Sequence, residues 1–231
     1  MTESTDSPIN YNALFAFASG KNLLVDKRSV TWMTTTKDTL LMFNIATSAL
    51  PKGSRTSHAR RLLNLTANHG GDTSIFWAKP EWSGVINEFD TTIYNGLVHN
   101  CAQYRALPRW SINNIDSVEY IKETNETFDL VYVDPPFGDE YKTGYSDELF
   151  IGTMGMKDLV RYMFDGEGTR LWRNIEHPVM LLKLPSKNYN IDGLKSTLDG
   201  MHGVKYAVYA PEDLEKIDNK THKITLVLVT K

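Results

Sequence analysis

The residues of this chain best suited to chemistry are the sequence DPPFG at 134–138, directly after the apolar run FDLVYV. Proline fixes its own φ angle and lacks an N–H, so two prolines hold a loop rigidly and keep its carbonyls pointing outward. The Asp134 carboxylate and the Pro135 carbonyl could then accept both protons of an amino group, while Phe137 stacks on an aromatic base. This combination predicts a site that orients the exocyclic amine of a nucleobase for N-methylation. A surface turn that caps a buried strand is the alternative interpretation.

A second candidate site is the loop LNLTANHGGDT at 63–73, which follows the first predicted strand. Glycine lets a backbone approach a ligand closely, and the N-terminus of a following helix offers free N–H groups. Gly70 and Gly71 therefore make the loop a candidate for ligand binding. A tight turn from strand to helix explains the same glycines equally well.

Two polar residues end the next predicted strands. Glu88 could hydrogen-bond ribose hydroxyls, a role that acids play in dinucleotide sites. Asn114 could meet the edge of an adenine. A solvated side chain at a strand end is the alternative interpretation of Glu88.

The elements that must position these residues alternate between strand and helix. Strands are predicted at 61–66, 83–89, 111–114, 128–133 and 178–184. A terminal antiparallel pair is predicted at 204–209 and 223–229, separated by a charged loop that contains Pro211. Helices are predicted at 37–50, 91–104 and 118–122, and a further helix begins at 74–78. This order predicts an α/β fold with a doubly wound sheet. Ligands of such sheets bind beyond the carboxyl ends of the strands, where both candidate loops and both polar residues lie.

Composition narrows the class of protein. The chain has 231 residues, of which 41% are apolar and 23% charged, so neither a disordered nor a fibrous protein is expected. A net charge of −3 and a pI of about 6.1 argue against bulk coating of nucleic acid, although a small basic patch could still bind a few nucleotides. A single cysteine allows neither an internal disulfide nor a cysteine-based metal cluster. With no signal or membrane-spanning segment in evidence, we expect a soluble protein of the nucleus or cytoplasm, and a viral origin is compatible with this.

Five stretches in order resemble one family. They are VDKRSVTWMTTTKD at 25–38, HGGDT at 69–73, VINEFDTTIYNGLVHNCAQY at 85–104, DPPFG, and LKLPSKNYNI at 182–191, followed by KITLVLV as the last strand. Together they resemble trimethylguanosine synthase, the RNA cap guanine-N2 methyltransferase family. Asp134 is also similar to the acid of bacterial ribosomal guanine-N2 methyltransferases, which carry DPPF.

The resemblance implies a class I methyltransferase (Rossmann-like) fold with a small N-terminal helical extension. It implies S-adenosylmethionine as cofactor, S-adenosylhomocysteine as product, and methyl transfer to N2 of guanine in the 7-methylguanosine RNA cap. Capped RNA is then the partner of what we expect to be a monomer that binds neither metal nor membrane. The expected organisation is a disordered tip at 1–10, the helical extension at 11–58 and the methyltransferase domain at 59–231.

The resemblance also implies roles for individual residues. Asp134 and Pro135 steer the amine, and Phe137 stacks on the base. The implied cofactor contacts are Asn64, Thr66, His69, Gly70, Gly71, Thr73, Glu88, Asn114 and Asp134. The implied substrate contacts are Phe137, a second aromatic plate from Trp32 (or else Phe15 or Phe17, each of which is otherwise a core residue), and cations for the triphosphate among Lys52, Arg55, Arg60, Arg61, Lys183 and Lys187.

The sequence departs from the family pattern in the first loop, and other functions stay open. Asn64 stands where the family has an acid, and Asn68 stands where it has its first glycine. One alternative is another nucleic-acid amino-methyltransferase, acting on adenine N6 or on ribosomal guanine N2. The second is a cap-binding or RNA-binding subunit that kept the fold and lost the cofactor.

Overall fold

The computed structural model describes residues 9–27, 29–30, 33–51, 59–136 and 146–231. Its strands are β1 Arg60–Asn64, β2 Trp82–Asn87, β3 Trp110–Asn113, β4 Leu130–Val133, β5 Phe150–Ile151, β6 Met154–Gly155, β7 Val179–Pro185, β8 Lys205–Tyr209 and β9 Ile224–Thr230. Its α-helices are α1 Tyr11–Leu14, α2 Thr36–Ala49, α3 Ser74–Trp77, α4 Thr91–Gln103, α5 Ser117–Glu123, α6 Met156–Asp165, α7 Ile191–Asp199 and α8 Pro211–Asp218. Leu107–Arg109 and Glu167–Trp172 form 3-10 helices.

Seven strands form one sheet in the order β3-β2-β1-β4-β7-β9-β8. The strands β3, β2, β1, β4 and β7 are parallel to one another, whereas β9 runs antiparallel to both β7 and β8. The prediction of a doubly wound α/β sheet with an antiparallel C-terminal pair is confirmed. Because these five strands are parallel, the loops that follow them lie at one edge of the sheet, called the carboxyl edge below. They are the loops after β1, β2, β3, β4 and β7.

Both faces of the sheet are covered by apolar side chains, which explains the continuous apolar runs of its central strands. All four residues of β4 are buried. On one face they pack with α6 and α7, and on the other with α2, α3 and α4. Four tryptophans are buried in these layers: Trp77, Trp82, Trp110 and Trp172.

Helix caps fix two loops of the carboxyl edge. The Asp90 side chain accepts hydrogen bonds from Thr92 N and Ile93 N at the start of α4. The Asp116 side chain does the same for Val118 N and Glu119 N of α5. A side-chain oxygen at the N-cap satisfies amide groups that have no partner within the helix. The loops after β2 and β3 are therefore held in place by the helices that follow them.

The N-terminal extension lies against the loop after β1 and along α4. Leu24 exchanges two hydrogen bonds with the Asn100 side chain, and Asn22 N donates to Gln103 Oε1. Near α3, Ala16 N donates to Ser74 Oγ at 2.8 Å. The predicted tip at 1–10 and the predicted boundary at 58 fall mainly outside the described residues.

The prediction for residues between β8 and β9 was wrong. They were expected to form a charged loop, but Pro211–Asp218 is the helix α8. Proline at the first position of a helix costs no hydrogen bond, because that N–H has no partner within the helix. The sequence patterns also missed α6, α7 and the β5–β6 hairpin. No helix within the described ranges is long and apolar enough to cross a membrane.

Candidate active site

The corner after β4 is tied to the loop after β1. Asp134 N donates to Thr66 Oγ1 at 2.7 Å, which joins the two loops at the middle of the carboxyl edge. The side chain of Asp134 is 13% exposed, Pro135 is buried and Pro136 is exposed. Phe137 lies outside the described residues. The corner therefore lies where ligands of doubly wound sheets bind, and the Asp134 carboxylate is turned partly inward.

The inward side of the corner contains a buried cation. Lys183 of β7 places Nζ 2.5 Å from Asp134 Oδ2, and its side chain is only 6% exposed. Thr34 of the N-terminal extension donates to the same oxygen at 3.2 Å. Lys183 also donates to Thr34 Oγ1 at 3.0 Å. The structure thus places Lys183, expected to contact a triphosphate, in a buried ion pair with Asp134.

Burial and like charge disfavour ionisation of the carboxyls in this region. Burial raises the pKa of Asp134, and the nearby Lys183 ammonium opposes that rise. Burial, and next the negative charge of Asp134, raise the pKa of Asp72 to about 7. A charge taken out of water favours its neutral form unless a partner compensates it. Asp134 has such a cation at hydrogen-bond distance, whereas Asp72 is held only by neutral groups.

Asn64 and Thr73 form a buried hydrogen-bond network with Asp72. Asn64 Nδ2 donates to Asp72 Oδ2 at 3.2 Å and to Thr73 Oγ1 at 2.9 Å. Thr73 Oγ1 in turn donates to Asp72 Oδ1 at 3.1 Å. Asn64 and Thr73 have no exposed surface, and Asn64 Oδ1 accepts from Thr66 N. Both were predicted to touch a cofactor, and the structure gives both a part in shaping the loop from beneath.

The two glycines of the first loop make room for other parts of the chain. A Cβ on Gly70 would overlap the Trp77 ring, and the φ angle of +85° disfavours any other residue there. A Cβ on Gly71 would come 2.6 Å from the carbonyl oxygen of Leu14. Close packing of the N-terminal extension and α3 therefore accounts for this glycine pair.

His69 is buried between the N-terminal extension and α4. Its Nε2 accepts a hydrogen bond from Asp26 N at 3.0 Å, so this nitrogen carries no proton. Its Nδ1 lies against Gly96 of α4, where an added Cβ would come within 2.7 Å. Burial lowers the pKa of His69, which favours the neutral ring that this geometry needs. His69 anchors the N-terminal extension to α4.

The ends of β2 and β3 form a second group of candidate site residues. Glu88 Oε2 accepts from Asn68 N and Oε1 accepts from Asp90 N, both at 2.9 Å. Burial raises the pKa of Glu88. The Asn114 amide donates to the carbonyls of Glu88 and Phe89, each at 2.8 Å, so Asn114 braces the end of β2. Each carboxylate oxygen of Glu88 keeps a lone pair for a further donor.

Phe89 is the residue of this group that the sequence analysis missed. Its ring is 74% exposed, beside Glu88 at the carboxyl edge. An exposed aromatic ring next to a carboxyl group with acceptor capacity left is chemically suited to the base and ribose of a nucleoside. The available signal was an aromatic residue placed directly after the acid that ends a predicted strand.

The structure does not bring the remaining predicted contacts together. Arg60 and Arg61 begin β1, at the opposite edge of the sheet from Asp134, and Arg61 is paired with Glu126. Lys187 is exposed in the loop after β7, at the carboxyl edge. Lys52, Arg55 and Trp32 lie outside the described residues.

The two alternative aromatic plates lie elsewhere. Phe15 is buried among Leu14, Ala18, Leu23 and Met33. Phe17 is 58% exposed but follows Ala16, whose carbonyl accepts from the Tyr104 hydroxyl at the C-terminal end of α4. That end of α4 precedes β3, so it lies where the parallel strands begin.

Solved methyltransferase structures share this fold. The METTL16 MTase domain has a TM-score of 0.60 at 14% identity, over 91% of this chain and 73% of that chain. The human methyltransferase 10 domain containing protein has a TM-score of 0.61 at 15% identity, over 91% and 87% of the two chains. The precorrin-6y C5,15-methyltransferase from Geobacter metallireducens GS-15 has a TM-score of 0.56 at 10% identity, over 90% and 94%. The expected class I methyltransferase fold is confirmed.

The sequence comparisons add no family. No family model matches the chain, and no curated protein matches it. The finer resemblance to trimethylguanosine synthase therefore stays a prediction.

Glu88 and Phe89 at the carboxyl edge could hold a nucleoside, which is one half of S-adenosylmethionine, the cofactor that the sequence resemblance predicts. Glu88 offers acceptors for ribose hydroxyls and Phe89 offers a ring face for adenine. Within the same described stretches, no group of three or more His, Cys, Asp or Glu side chains could hold a metal ion.

Proposed function

We propose that this chain transfers a methyl group from S-adenosylmethionine to an exocyclic amine of a nucleobase, namely N2 of guanine in a 7-methylguanosine RNA cap. The observation that carries the proposal is the Asp134-Pro135-Pro136 corner, fixed to Thr66 and Lys183 at the carboxyl end of the central strand β4. The class I methyltransferase fold supports the choice of cofactor.

The cofactor end of the site is formed by the loops after β1 and β2. Glu88, held by the Asn68 and Asp90 amides, would accept hydrogen bonds from the ribose. Phe89 would lie against the adenine. S-adenosylmethionine, when bound, supplies an electrophilic methyl group on a sulfonium sulfur.

The corner residues act on the amine. The guanine amino group is a poor nucleophile while its nitrogen lone pair is conjugated with the ring. Hydrogen bonds from its two protons to the Asp134 carboxylate and the Pro135 carbonyl would turn the lone pair out of conjugation. The nitrogen then bonds to the methyl carbon as the carbon–sulfur bond breaks, its electron pair stays on sulfur, and one amine proton leaves to solvent. Orientation of this kind supplies most of the acceleration without a strong base.

The choice of the cap as substrate rests on the resemblance to trimethylguanosine synthase. The position of Phe137 in the sequence and the position of Lys187 in the fold support it. Phe137 follows the corner directly in the sequence, and the resemblance gives it the stacking role. A cationic methylated guanine stacks favourably on an aromatic ring. Lys187 lies exposed in the loop after β7, at the same edge, and would meet the triphosphate.

Methyl transfer is tested with labelled S-adenosylmethionine and matched RNAs. Capped RNA, uncapped RNA and DNA are incubated with the protein and digested to nucleosides. Label at N2 of the cap guanosine supports the proposal. Label in uncapped RNA or at adenine N6 of DNA identifies the other amino-methyltransferases instead. Asp134→Ala should abolish transfer and leave cofactor binding nearly intact.

A second candidate function is a cap-binding or RNA-binding subunit without activity. The first loop favours it, because Asn64 is fully used in the buried network and both glycines are packed against protein. Calorimetry with S-adenosylhomocysteine separates the two functions. Binding supports the enzyme, and binding of a cap analogue without binding of S-adenosylhomocysteine supports the subunit.

A further inference from the structure

Lys183 reaches the corner from the strand beside it. β7 pairs with β4 up to Leu182 and Val133, so Lys183 and Asp134 each come one residue after the last paired position. The Lys183 ammonium contacts Asp134 Oδ2 and Thr34 Oγ1, and Thr34 donates to the same Oδ2. Three separate parts of the chain therefore meet at one oxygen of the carboxylate.

We infer that Lys183 and Thr34 are positioning residues for Asp134: by holding Oδ2 and compensating the charge, they keep an ionised carboxylate whose Oδ1 is directed to the amino group. This inference rests on the proposed function, because it assigns the orientation of the same amine. A protonated carboxyl would donate at one oxygen and lose acceptor capacity that the amine needs. A carboxylate free to rotate would lose the alignment.

Without Lys183, the surroundings of Asp134 would favour the protonated form of its carboxyl group. Burial raises the pKa of Asp134, and the buried carboxyl of Asp72 interacts unfavourably with its charge. The other groups that face it are neutral donors, the hydroxyls of Thr34 and Tyr132. Among these groups around Asp134, Lys183 is the cation. Removal of one partner from a buried ion pair leaves the other charge uncompensated in an interior of low dielectric constant.

The first test needs no substrate. The side-chain carboxyl carbon of Asp134, assigned through its loss in Asp134→Asn, is titrated by 13C NMR in wild type, Lys183→Met and Lys183→Arg. In Lys183→Met the titration midpoint of Asp134 should rise by about one pH unit or more. In Lys183→Arg the midpoint should return most of the way to the wild-type value. Lys205→Met removes an exposed lysine at the start of β8 and should leave the midpoint unchanged. An equal midpoint in wild type and Lys183→Met would overturn the inference.

The second test measures methyl transfer against pH. At neutral pH, kcat of Lys183→Met should fall by about tenfold or more and should recover as the pH rises, because Asp134 then ionises. KM for S-adenosylmethionine should stay unchanged. A purely structural role of Lys183 would lower activity equally at every pH and would contradict the inference.

Two further outcomes are decisive. If Lys183→Met fails to fold, Thr34→Val replaces it and should raise the Asp134 midpoint by a smaller amount. No shift in Thr34→Val would then count against the inference. If wild type methylates no nucleobase, the proposed function fails, whereas the carbon titration still decides whether Lys183 holds Asp134 ionised.

Discussion

His222 places Nδ1 2.6 Å from Asp38 Oδ1, and the ring has no exposed surface. The other ring nitrogen lies 2.8 Å from Asp218 Oδ1 at the C-terminal end of α8. Each nitrogen of the ring therefore has a carboxyl oxygen at hydrogen-bond distance. His222 thereby ties α2 to the segment between α8 and β9.

His222→Leu should lower the free energy of unfolding by about 3 kcal/mol, because Asp38 and Asp218 both lose the ring nitrogen that contacts them. Urea unfolding measures the change. His177→Leu is the matched control, since His177 is half exposed and 3.8 Å from Glu176. Equal losses in the two variants would show that the buried pair contributes nothing.

Gly70→Ala should lower the free energy of unfolding by about 2 kcal/mol or more, because the methyl group overlaps the Trp77 ring and the φ angle is +85°. Gly200→Ala is the control, since its Cβ would come no closer than 3.5 Å to any atom outside its neighbours. A large loss of cofactor binding in a Gly70→Ala protein of unchanged stability would instead mean that Gly70 faces a ligand.

Glu88→Gln should weaken binding of S-adenosylhomocysteine by about tenfold, since a neutral amide is a poorer acceptor for ribose hydroxyls than a carboxylate. Calorimetry measures the dissociation constant. Glu215→Gln on the exposed side of α8 should bind as wild type does. Wild-type affinity in Glu88→Gln would show that Glu88 only braces the loop through Asn68 and Asp90.

Asp72→Asn should become more stable relative to wild type as the pH rises. The pKa of Asp72 is about 7 in the folded protein, above the unfolded value, so the folded state holds a proton that the unfolded state releases above about pH 4. Wild type therefore loses stability between about pH 4 and 7, by at most about 1.4 kcal/mol per pH unit from this group. The variant has no such group at this position.

The measurement is urea unfolding of both proteins at pH 5, 6, 7 and 8. Asp192→Asn, an exposed residue of α7, is the control. A constant difference between Asp72→Asn and wild type across this range would contradict the raised pKa.

Local patterns predicted most of the sheet and missed several helices. The apolar run that forms β4 and the acid-proline corner after it are contiguous in sequence, so their pattern alone predicts a strand followed by a rigid loop. The helix α8 was taken for a loop because its residues are mostly charged and only Leu214 is buried. Its eight residues make only about two helical turns, which is too short for the spacing of apolar residues to indicate a helix.

The sequence by itself determined the doubly wound α/β class and the candidate corner, because apolar periodicity and proline geometry act over neighbouring residues. Only the tertiary structure decided what surrounds the corner. Lys183 contacts Asp134 across 49 residues of sequence, and His222 contacts Asp38 across 184. Packing likewise assigned Gly70 to the Trp77 ring and His69 to Asp26. No local pattern encodes such pairs, because the fold of the whole chain brings their members together.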